Sequence, residues 1–291
     1  MKILVTGVGG RIGSAVAREL LEHGHEVRGL DRTGFPEDLR DRIERVYCDL
    51  TDRLAVMAAA DGCDAIAHLA AIPNPTHSEE IITHNNVVGT QYVLAAAEAN
   101  GIKRVALASS CTVYGLAFAH HQFDPQYLPM DEKHPTLPQD LYGLSKLMNE
   151  HTAATYTRRC GMTTVCLRLP MVIRFNTQRA RWQAHMLHHG HERRSNDLWT
   201  YLEVTDAARA FRLSIEKPLE GHHVLIVAAR DSYIAADIRE VTRQFYPELA
   251  SGVENLGPTD SLYDTSLAEA TIGFVPEKTW RDVPELREPP K

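Results

Sequence analysis

Hydrophobic runs alternate with polar turns most regularly near the N-terminus of the chain. Lys2–Thr6 is a short apolar run rich in β-forming residues, and a glycine-rich turn follows it directly. Ser14–His23 then carries apolar residues at helical spacing, and Glu26–Leu30 is a second β-like run that closes with Asp31. This order predicts a strand, a tight turn, a helix and a second strand that ends in an acidic residue.

The alternation continues along the next part of the chain. Further strands are predicted at Arg45–Cys48, Ala65–Leu69, Arg104–Ser109 and Thr163–Leu169, and one long helix is predicted at Glu79–Asn100. Strands that alternate with helices indicate crossover connections, and these place parallel strands in one sheet with helices on both faces. The predicted fold class is therefore α/β, with a doubly wound parallel sheet.

The pattern changes after Pro170, where arginine and histidine become frequent. Helices are predicted there at Gln178–His189, Val204–Glu216 and Ala235–Phe245, and a strand is predicted at His223–Ala228. We expect residues 1–170 to form the main domain. Residues 171–291 should form a smaller C-terminal lobe that binds substrate, is partly interleaved with the sheet and closes over the main domain.

The glycine turn has the spacing of a dinucleotide-binding loop. Gly7, Gly10 and Gly13 fit a T-G-x-x-G-x-x-G frame. In such a frame the first glycine permits the tight turn, the second lets backbone N–H groups approach a pyrophosphate, and the third lets the helix pack close to the strand. The helix N-terminus then presents unpaired donors and its positive dipole end to the phosphates. The unit is predicted to be a Rossmann-type cofactor site.

Asp31 favours NAD as the cofactor. A carboxylate at the end of the second strand can accept both hydroxyls of the adenosine ribose, and it would repel the 2′-phosphate of NADP. Arg11 and Arg32 are the contrary observation, because either guanidinium could reach a 2′-phosphate.

Tyr142 and Lys146 are the candidate catalytic pair. Their i, i+4 spacing places both side chains on one face of a helix. A tyrosine is a poor base near neutrality, so we expect the lysine ammonium and a positive nicotinamide ring to lower the pKa of the phenol. Ser109 and Ser110 close the fifth strand, where a hydroxyl can donate to a substrate oxygen.

The overall composition excludes several classes of protein. The net charge of −7 is opposite to that expected for binding nucleic acid or an anionic membrane. Five scattered cysteines without C-x-x-C spacing indicate reduced thiols. No leader or membrane span is predicted, so we expect a cytoplasmic protein. The histidines at positions 185, 188, 189 and 191 lack the further ligands of a zinc site, and no metal is expected.

Several motifs together resemble the extended short-chain dehydrogenases/reductases of the NAD-dependent epimerase/dehydratase type. They are Thr6-Gly7-x-x-Gly10-x-x-Gly13, His68-Leu69-Ala70-Ala71, Asn86-Val87-Val88-Gly89-Thr90, Ser109-Ser110-Cys111-Thr112-Val113-Tyr114-Gly115, Tyr142-Gly-Leu-Ser-Lys146, Leu167-Arg168-Leu169-Pro170, Val204-Thr205-Asp206 and Tyr263-Asp264-Thr265-Ser266. The resemblance extends over nearly the whole chain.

The resemblance implies a role for each matching residue. Tyr142 is the expected general base or acid, Lys146 holds the nicotinamide ribose, and Ser110 is the catalytic hydroxyl. The implied NAD contacts are Gly7, Gly10, Arg11, Ile12, Gly13, Asp31, Arg32, Asp49, Leu50, Leu69, Ala70, Ala71, Asn86, Tyr142, Lys146 and Pro170. Homodimers packed through the helices near residues 87–100 and 142–158 are usual in the family, so a homodimer is expected.

One departure from the family pattern bears on the substrate. Trp199 stands where the nucleotide-sugar epimerases carry an arginine that grips the diphosphate, and the segment between Pro170 and Trp199 is short. We expect the indole to cover a small substrate beside the reacting centre. Replacement charge could come from Arg174, Arg179, Arg181, Arg193 or Arg194.

Three functions are compatible with these observations. The leading one is an NAD-dependent dehydrogenase that removes a hydride from a secondary or hemiacetal hydroxyl of a small sugar or sugar acid. The second is a nucleotide-sugar 4-epimerase or dehydratase that retains its NAD. The third is a non-catalytic NAD-binding sensor, and the intact Ser110, Tyr142 and Lys146 count against it.

Overall fold

A computed structural model describes residues 1–175 and 180–287 of the chain. Its main sheet has seven parallel strands in the order β3-β2-β1-β4-β5-β6-β9. These strands are β1 (Lys2–Thr6), β2 (Glu26–Asp31), β3 (Glu44–Tyr47), β4 (Ala65–His68), β5 (Arg104–Ser110), β6 (Thr163–Leu169) and β9 (His222–Ile226). A separate pair of parallel strands consists of β7 (Met171–Ile173) and β8 (Tyr201–Glu203).

Helices cover both faces of the main sheet. In the described ranges they are α1 (Arg11–Glu22), α2 (Arg53–Ala60), α3 (Glu79–Ile82), α4 (Gly89–Ala99), α5 (Leu141–Cys160), α6 (Ala180–His189), α7 (Val204–Glu216), α8 (Ile238–Phe245), α9 (Ser266–Ile272) and α10 (Pro284–Arg287). One apolar core lies between the sheet and α1 and α7, and a second lies between the sheet and α2, α4 and α5. The predicted α/β class with a doubly wound parallel sheet is confirmed.

The predicted long helix at residues 79–100 is interrupted in its middle. Residues Thr83–Val88 form a π-helical segment between α3 and α4. The Asn86 side chain bonds both backbone groups of Ile72, which holds this part of the helix against the loop after β4. Segments of this kind occur frequently at functional sites.

The predicted start of the helix at Gln178 lies outside the described residues, where α6 is seen from Ala180 onward. The helix predicted from Ala235 begins at Ile238 instead, because the Asp237 carboxylate caps its first turn by accepting the N–H of Arg239.

The C-terminal part of the chain contributes to both layers of the molecule. Strand β9 lies beyond Pro170, yet it pairs with β6 and completes the main sheet. Helices α7 and α9 pack into the first core, and most other buried apolar residues after 170 surround a third apolar core, whose largest fully buried side chain is Trp199. The boundary at residue 170 stays a prediction. None of the described helices is long and apolar enough to cross a membrane.

Candidate active site

The glycine turn after β1 forms the floor of a cavity at the carboxyl edge of the sheet. Gly7 has a φ of 71°, which favours glycine, and a Cβ at position 13 would collide with the Gly7 carbonyl oxygen. Helix α1 starts after Gly10 without a side-chain cap, so its first N–H groups are left for a ligand. Gly7, Gly10, Arg11, Ile12 and Gly13 all line the cavity, and this cradle fits a pyrophosphate.

The Asp31 carboxylate ties the glycine turn to the end of β2. Its Oδ2 accepts the Gly9 N–H at 2.9 Å, and its Oδ1 accepts the N–H and the hydroxyl of Thr33 at 2.8 and 2.7 Å. Oδ1 also accepts the Gly34 N–H at 3.4 Å, whereas Oδ2 accepts one donor from the described residues, so Oδ2 has acceptor capacity left for a ribose hydroxyl. The position fits the predicted role of Asp31 and adds a structural one.

The two arginines that could favour NADP are engaged within the protein. Arg32 forms an ion pair with Asp49 at 3.3 Å, and both side chains are largely exposed. Arg11 donates from Nη1 to the Val172 carbonyl oxygen at 2.8 Å, across the cavity from α1 to β7. Each guanidinium is thus turned to a partner in the protein, and a carboxylate stands at the end of β2, which supports NAD.

We expect Asp31→Asn to weaken NAD binding by about tenfold and to narrow the preference for NAD over NADP. The substitution removes the negative charge, and because the donors on Oδ1 hold the amide oxygen, the amide NH₂ also replaces the acceptor of the Gly9 N–H. Isothermal titration of wild type and variant with both cofactors measures this. Unchanged NAD affinity, or tighter NADP binding by the wild type, would contradict the role of Asp31.

The candidate catalytic residues come from two elements that meet at the same edge of the sheet. Asp140 caps α5 by accepting the Gly143 N–H at 2.8 Å, and this fixes the first turn of the helix, which carries Tyr142. The Lys146 Nζ lies 5.6 Å from the centre of the Tyr142 ring and donates to the Ala108 carbonyl oxygen at 2.8 Å. Ser110 ends β5, and its hydroxyl, which donates to the Leu169 carbonyl oxygen at 3.5 Å, is close enough to the Tyr142 phenol to influence its pKa. All three catalytic candidates line the cavity.

The predicted lowering of the tyrosine pKa is not produced by the protein alone. Burial raises the pKa of Tyr142 to about 12, and the nearby Ser110 hydroxyl opposes this rise. Burial also lowers the pKa of Lys146 to about 8, and its ammonium is turned to the Ala108 carbonyl. The tyrosine is thus a proton donor as it stands, and it needs a further positive charge to act as a base.

A buried network behind the site fixes the ends of β1 and β4. The Thr6 hydroxyl accepts two backbone N–H groups after β4, so its own proton goes to Nδ1 of His68 at 2.7 Å. The opposite ring nitrogen of His68 then donates to the Thr90 hydroxyl at 2.9 Å, and Thr90 donates to the Asn86 carbonyl oxygen. Burial lowers the pKa of His68 to about 3, so the ring is neutral.

Asn86 lies behind the cavity wall, although it is among the predicted cofactor contacts. It is fully buried, and its amide bonds both backbone groups of Ile72 and the Ser145 hydroxyl. Ile72 follows Ala71, which does line the cavity. Asn86 therefore acts on the site by holding this loop.

The other predicted cofactor residues divide into two groups. Leu69, Ala71 and Pro170 line the cavity with the glycine turn. The cavity is not lined by Asp31, Arg32, Asp49, Leu50 or Ala70, which lie at or just after the ends of β2, β3 and β4. That edge suits the adenosine half of the cofactor, whereas the cavity suits the nicotinamide half and a substrate.

The wall of the cavity that faces the sheet edge comes from loops and from the C-terminal lobe. Apart from Arg193 and Arg194, the residues of this wall could not be assigned to the site from the sequence. They are Thr112, Phe118, Gln122, Met186, Gly190, Arg193, Arg194, Ser195, Asn196, Asp197, Tyr233 and Tyr263. The cavity has a volume of about 870 Å³. That size is near the upper end of ordinary ligand pockets, and it accommodates part of a dinucleotide together with a small substrate.

The expectation that the Trp199 indole covers the substrate is wrong. Trp199 is fully buried, packs against Phe245 and Tyr246, and donates from Nε1 to the Gly190 carbonyl oxygen at 2.9 Å. Its backbone has a φ of 52°, as Leu198 has one of 55°, and this left-handed turn directs the indole into the lobe core. The indole supports the cavity wall from behind and does not form part of it.

Two arginines of the lobe wall differ in their surroundings. Arg194 pairs with Asp124 at 2.7 Å, donates to the Phe123 carbonyl oxygen and stacks on Tyr246. Arg193 is exposed and forms no ion pair within the described part of the chain. Arg179 lies outside the described residues. Among the described side chains of the lobe wall, Arg193 is thus placed for an anionic substrate group.

The clustered histidines have ordinary partners. His188 contacts the Leu286 carbonyl oxygen at 3.1 Å, and His189 pairs with Glu192 at 2.7 Å. Within residues 1–175 and 180–287, no three histidine, cysteine or carboxylate side chains are grouped as metal ligands.

The geometry agrees with a match to the family model for the NAD dependent epimerase/dehydratase family, which spans residues 3–228. The chain belongs to that family. It is an NAD-dependent enzyme of the extended short-chain dehydrogenase/reductase type, and the resemblance stated from its motifs is confirmed.

Members of the epimerase/dehydratase family with different activities resemble this chain. A UDP-glucose 4-epimerase of Corynebacterium glutamicum is 26% identical and covers 96% of this chain and 92% of that protein. A uronate dehydrogenase of Pseudomonas syringae pv. tomato is 33% identical, over 58% of each. A solved structure of a mutated uronate dehydrogenase superposes with a TM-score of 0.69 at 27% identity, covering 98% of this chain and 86% of that one.

Proposed function

We propose that this enzyme oxidises a secondary or hemiacetal hydroxyl of a small, free sugar acid or sugar and reduces NAD in the process. The observation that carries the proposal is the charge of the lobe wall. On the described lobe wall it comes from Arg193, which forms no ion pair with a described residue, and from the Asp197 carboxyl group, while Arg194 is already paired with Asp124. A guanidinium in this position suits a single carboxylate, whereas a diphosphate requires several fixed donors.

The side chains at the sheet edge have complementary roles in such an oxidation. Tyr142 takes the proton of the substrate hydroxyl, and Ser110 bonds the same oxygen as the carbonyl forms. Lys146 holds the ribose and contributes positive charge near the phenol. The glycine turn and Lys146 would hold NAD, which when bound would supply the hydride acceptor and a positive ring that favours the phenolate.

The second candidate is a nucleotide-sugar 4-epimerase with retained NAD. It is favoured by the nearly full-length similarity to the Corynebacterium UDP-glucose 4-epimerase. Against it stands the family's diphosphate arginine, whose place is taken by Trp199 with its indole in the lobe core. A non-catalytic NAD-binding sensor is the weakest candidate, because such a protein would not need Tyr142 held beside Ser110.

The proposed assembly is a homodimer packed through α4 and α5. Leu144 and Met148 lie one turn apart on α5 and are 40% and 41% exposed, and Ile81 on α3 is 49% exposed. Exposed apolar side chains at i, i+4 spacing are typical of a helix that packs against a partner.

The test combines cofactor content with a substrate comparison. Protein purified without added cofactor should be largely free of NAD, and hexuronates plus NAD should yield NADH. Arg193→Gln should raise KM for a hexuronate by about tenfold and leave KM for the corresponding neutral aldose unchanged. Arg243→Gln, at an exposed position on α8, is the matched control. Tightly retained NAD together with interconversion of UDP-sugars would favour the epimerase instead.

A further inference from the structure

Asp197 presents one free carboxylate oxygen in the lobe wall of the cavity. Its Oδ1 accepts the Ser195 hydroxyl, the Tyr233 hydroxyl at 3.0 Å and the Trp199 N–H at 3.2 Å. No donor in the described part of the chain bonds Oδ2. The carboxylate is therefore held through one oxygen, and the other has acceptor capacity for a ligand in the cavity.

The backbone around Asp197 keeps this carboxylate in one place. Leu198 and Trp199 both have left-handed φ values, 55° and 52°, and both side chains are fully buried. Such strain persists only where the surroundings fix the conformation, and it is frequent at ligand sites. The anchors here are the lobe core around Trp199 and its bond to the Gly190 carbonyl oxygen. Asp197 is thus a preorganised acceptor.

We propose that Asp197 Oδ2 accepts a hydrogen bond from a substrate hydroxyl and thereby determines which sugars the enzyme takes. This inference rests on the proposed function, since it names a side chain that recognises the substrate in the same cavity as Tyr142. A hydrogen bond to a charged acceptor in an enclosed site is worth about 10- to 100-fold in affinity. A hydroxyl has the donor that the carboxylate requires, and a missing hydroxyl leaves the oxygen unsatisfied.

The pair formed by Asp197 and Arg193 also defines which charges the substrate carries. Burial raises the pKa of Tyr233, the phenol that bonds Asp197, and the positive charge of the nearby Arg193 opposes this rise. An anionic group can therefore be placed at Arg193, whereas Asp197 accepts a hydroxyl. The pair favours a polyhydroxy substrate with one anionic group.

Asp197→Asn tests the role of Oδ2 at a single atom. The three donors on Oδ1 will hold the amide oxygen there, so the amide NH₂ takes the place of Oδ2 and turns an acceptor into a donor. We would measure kcat/KM for a hexuronate and for its 2-, 3- and 4-deoxy analogues. For the wild type, kcat/KM with one of the analogues should be about 10- to 100-fold lower than with the parent hexuronate. For the variant, the ratio of the two kcat/KM values should fall to about threefold or less.

Asp237→Asn, which changes a cap of α8 in the same lobe and does not line the cavity, should keep the wild-type selectivity. Thermal unfolding and NAD affinity of the Asp197 variant should match the wild type. If the variant loses activity equally on the parent and all analogues, the residue is only structural and the inference is overturned. If the wild type itself produces no NADH from any free sugar acid, the proposed function fails and this inference fails with it.

Discussion

Replacing Tyr142 with phenylalanine is expected to lower kcat by about 10³-fold while the dissociation constant of NAD changes by less than about threefold. The phenol is the group that we expect to exchange a proton with the substrate oxygen, and Ser110 is close enough to influence its pKa. The ring itself remains in the variant, so the packing against Phe118 is kept. Steady-state kinetics and NAD titration measure the two quantities separately.

The pH dependence gives a second measure of the same residue. Because the pKa of Tyr142 is raised to about 12, its base form is the minor one at neutral pH. Oxidation by the wild type should therefore accelerate as pH rises above 7, and the residual rate of Tyr142→Phe should lack this rise. Tyr92→Phe, on α4, is the matched control and should behave as the wild type. A Tyr142→Phe enzyme that keeps most of its kcat would contradict the assignment.

Replacing Lys146 with methionine is expected to remove activity and to stabilise the protein at pH 7. The lysine is 4% exposed, and burial lowers its pKa from 10.5 to about 8. This difference means that burying the ammonium lowers the free energy of unfolding by about 3 kcal/mol at pH 7. The hydrogen bond to the Ala108 carbonyl offsets about 1 kcal/mol of this loss. The free energy of unfolding of the variant should therefore be about 2 kcal/mol higher than that of the wild type.

The sign of the pH effect follows from the two pKa values. Below pH 8 the lysine is protonated in both states, and the full cost of burial is present. Between about pH 8 and pH 10.5 the unfolded chain binds the proton and the folded one does not, so the wild type gains stability as pH rises. The advantage of the methionine variant should therefore disappear near pH 10.5.

Urea unfolding of the NAD-free proteins at pH 7 and pH 10 measures this. Lys103→Met replaces an exposed lysine and should show no such pH dependence. The activity of Lys146→Met should fall by at least about 10²-fold, because the charge beside the phenol and the ribose contact are both lost. If Lys146→Met is less stable than the wild type by the same amount at pH 7 and pH 10, the wild-type lysine is not buried in its charged form.

The main sheet and its cofactor turn could be predicted from the sequence because their signals are local. The apolar run Lys2–Thr6, the three glycines and the cap residue Asp140 each act within a few residues of their own position. The strand Thr163–Leu169 and the helix Val204–Glu216 were predicted with the bounds that the structure has.

The lobe wall of the cavity could not be predicted, because its residues come from distant loops. Phe118, Asp197, Tyr233 and Tyr263 share no spacing in the sequence, and only the tertiary packing brings them together. A motif places a residue in the chain but does not give the direction of its side chain. The left-handed backbone at Leu198 and Trp199 turns the indole into the core, and it leaves Asp197 on the cavity side.

The pKa of Tyr142 illustrates another limit of sequence reasoning. The i, i+4 spacing correctly placed Lys146 next to the phenol, with Nζ 5.6 Å from the ring centre. The burial of both side chains could not be read from the spacing. Burial dominates both titrations, and it moves each group toward its neutral form.

The central claim is that a hydride passes from a free sugar acid to exchangeable NAD. The most direct measurement is mass spectrometry of the nicotinamide products after incubation of the enzyme with NAD and a hexuronate deuterated at every carbon-bound position. We expect deuterated NADH in an amount equal to the sugar acid consumed, over many turnovers. No net NADH, with all deuterium retained in an isomerised sugar, would contradict it.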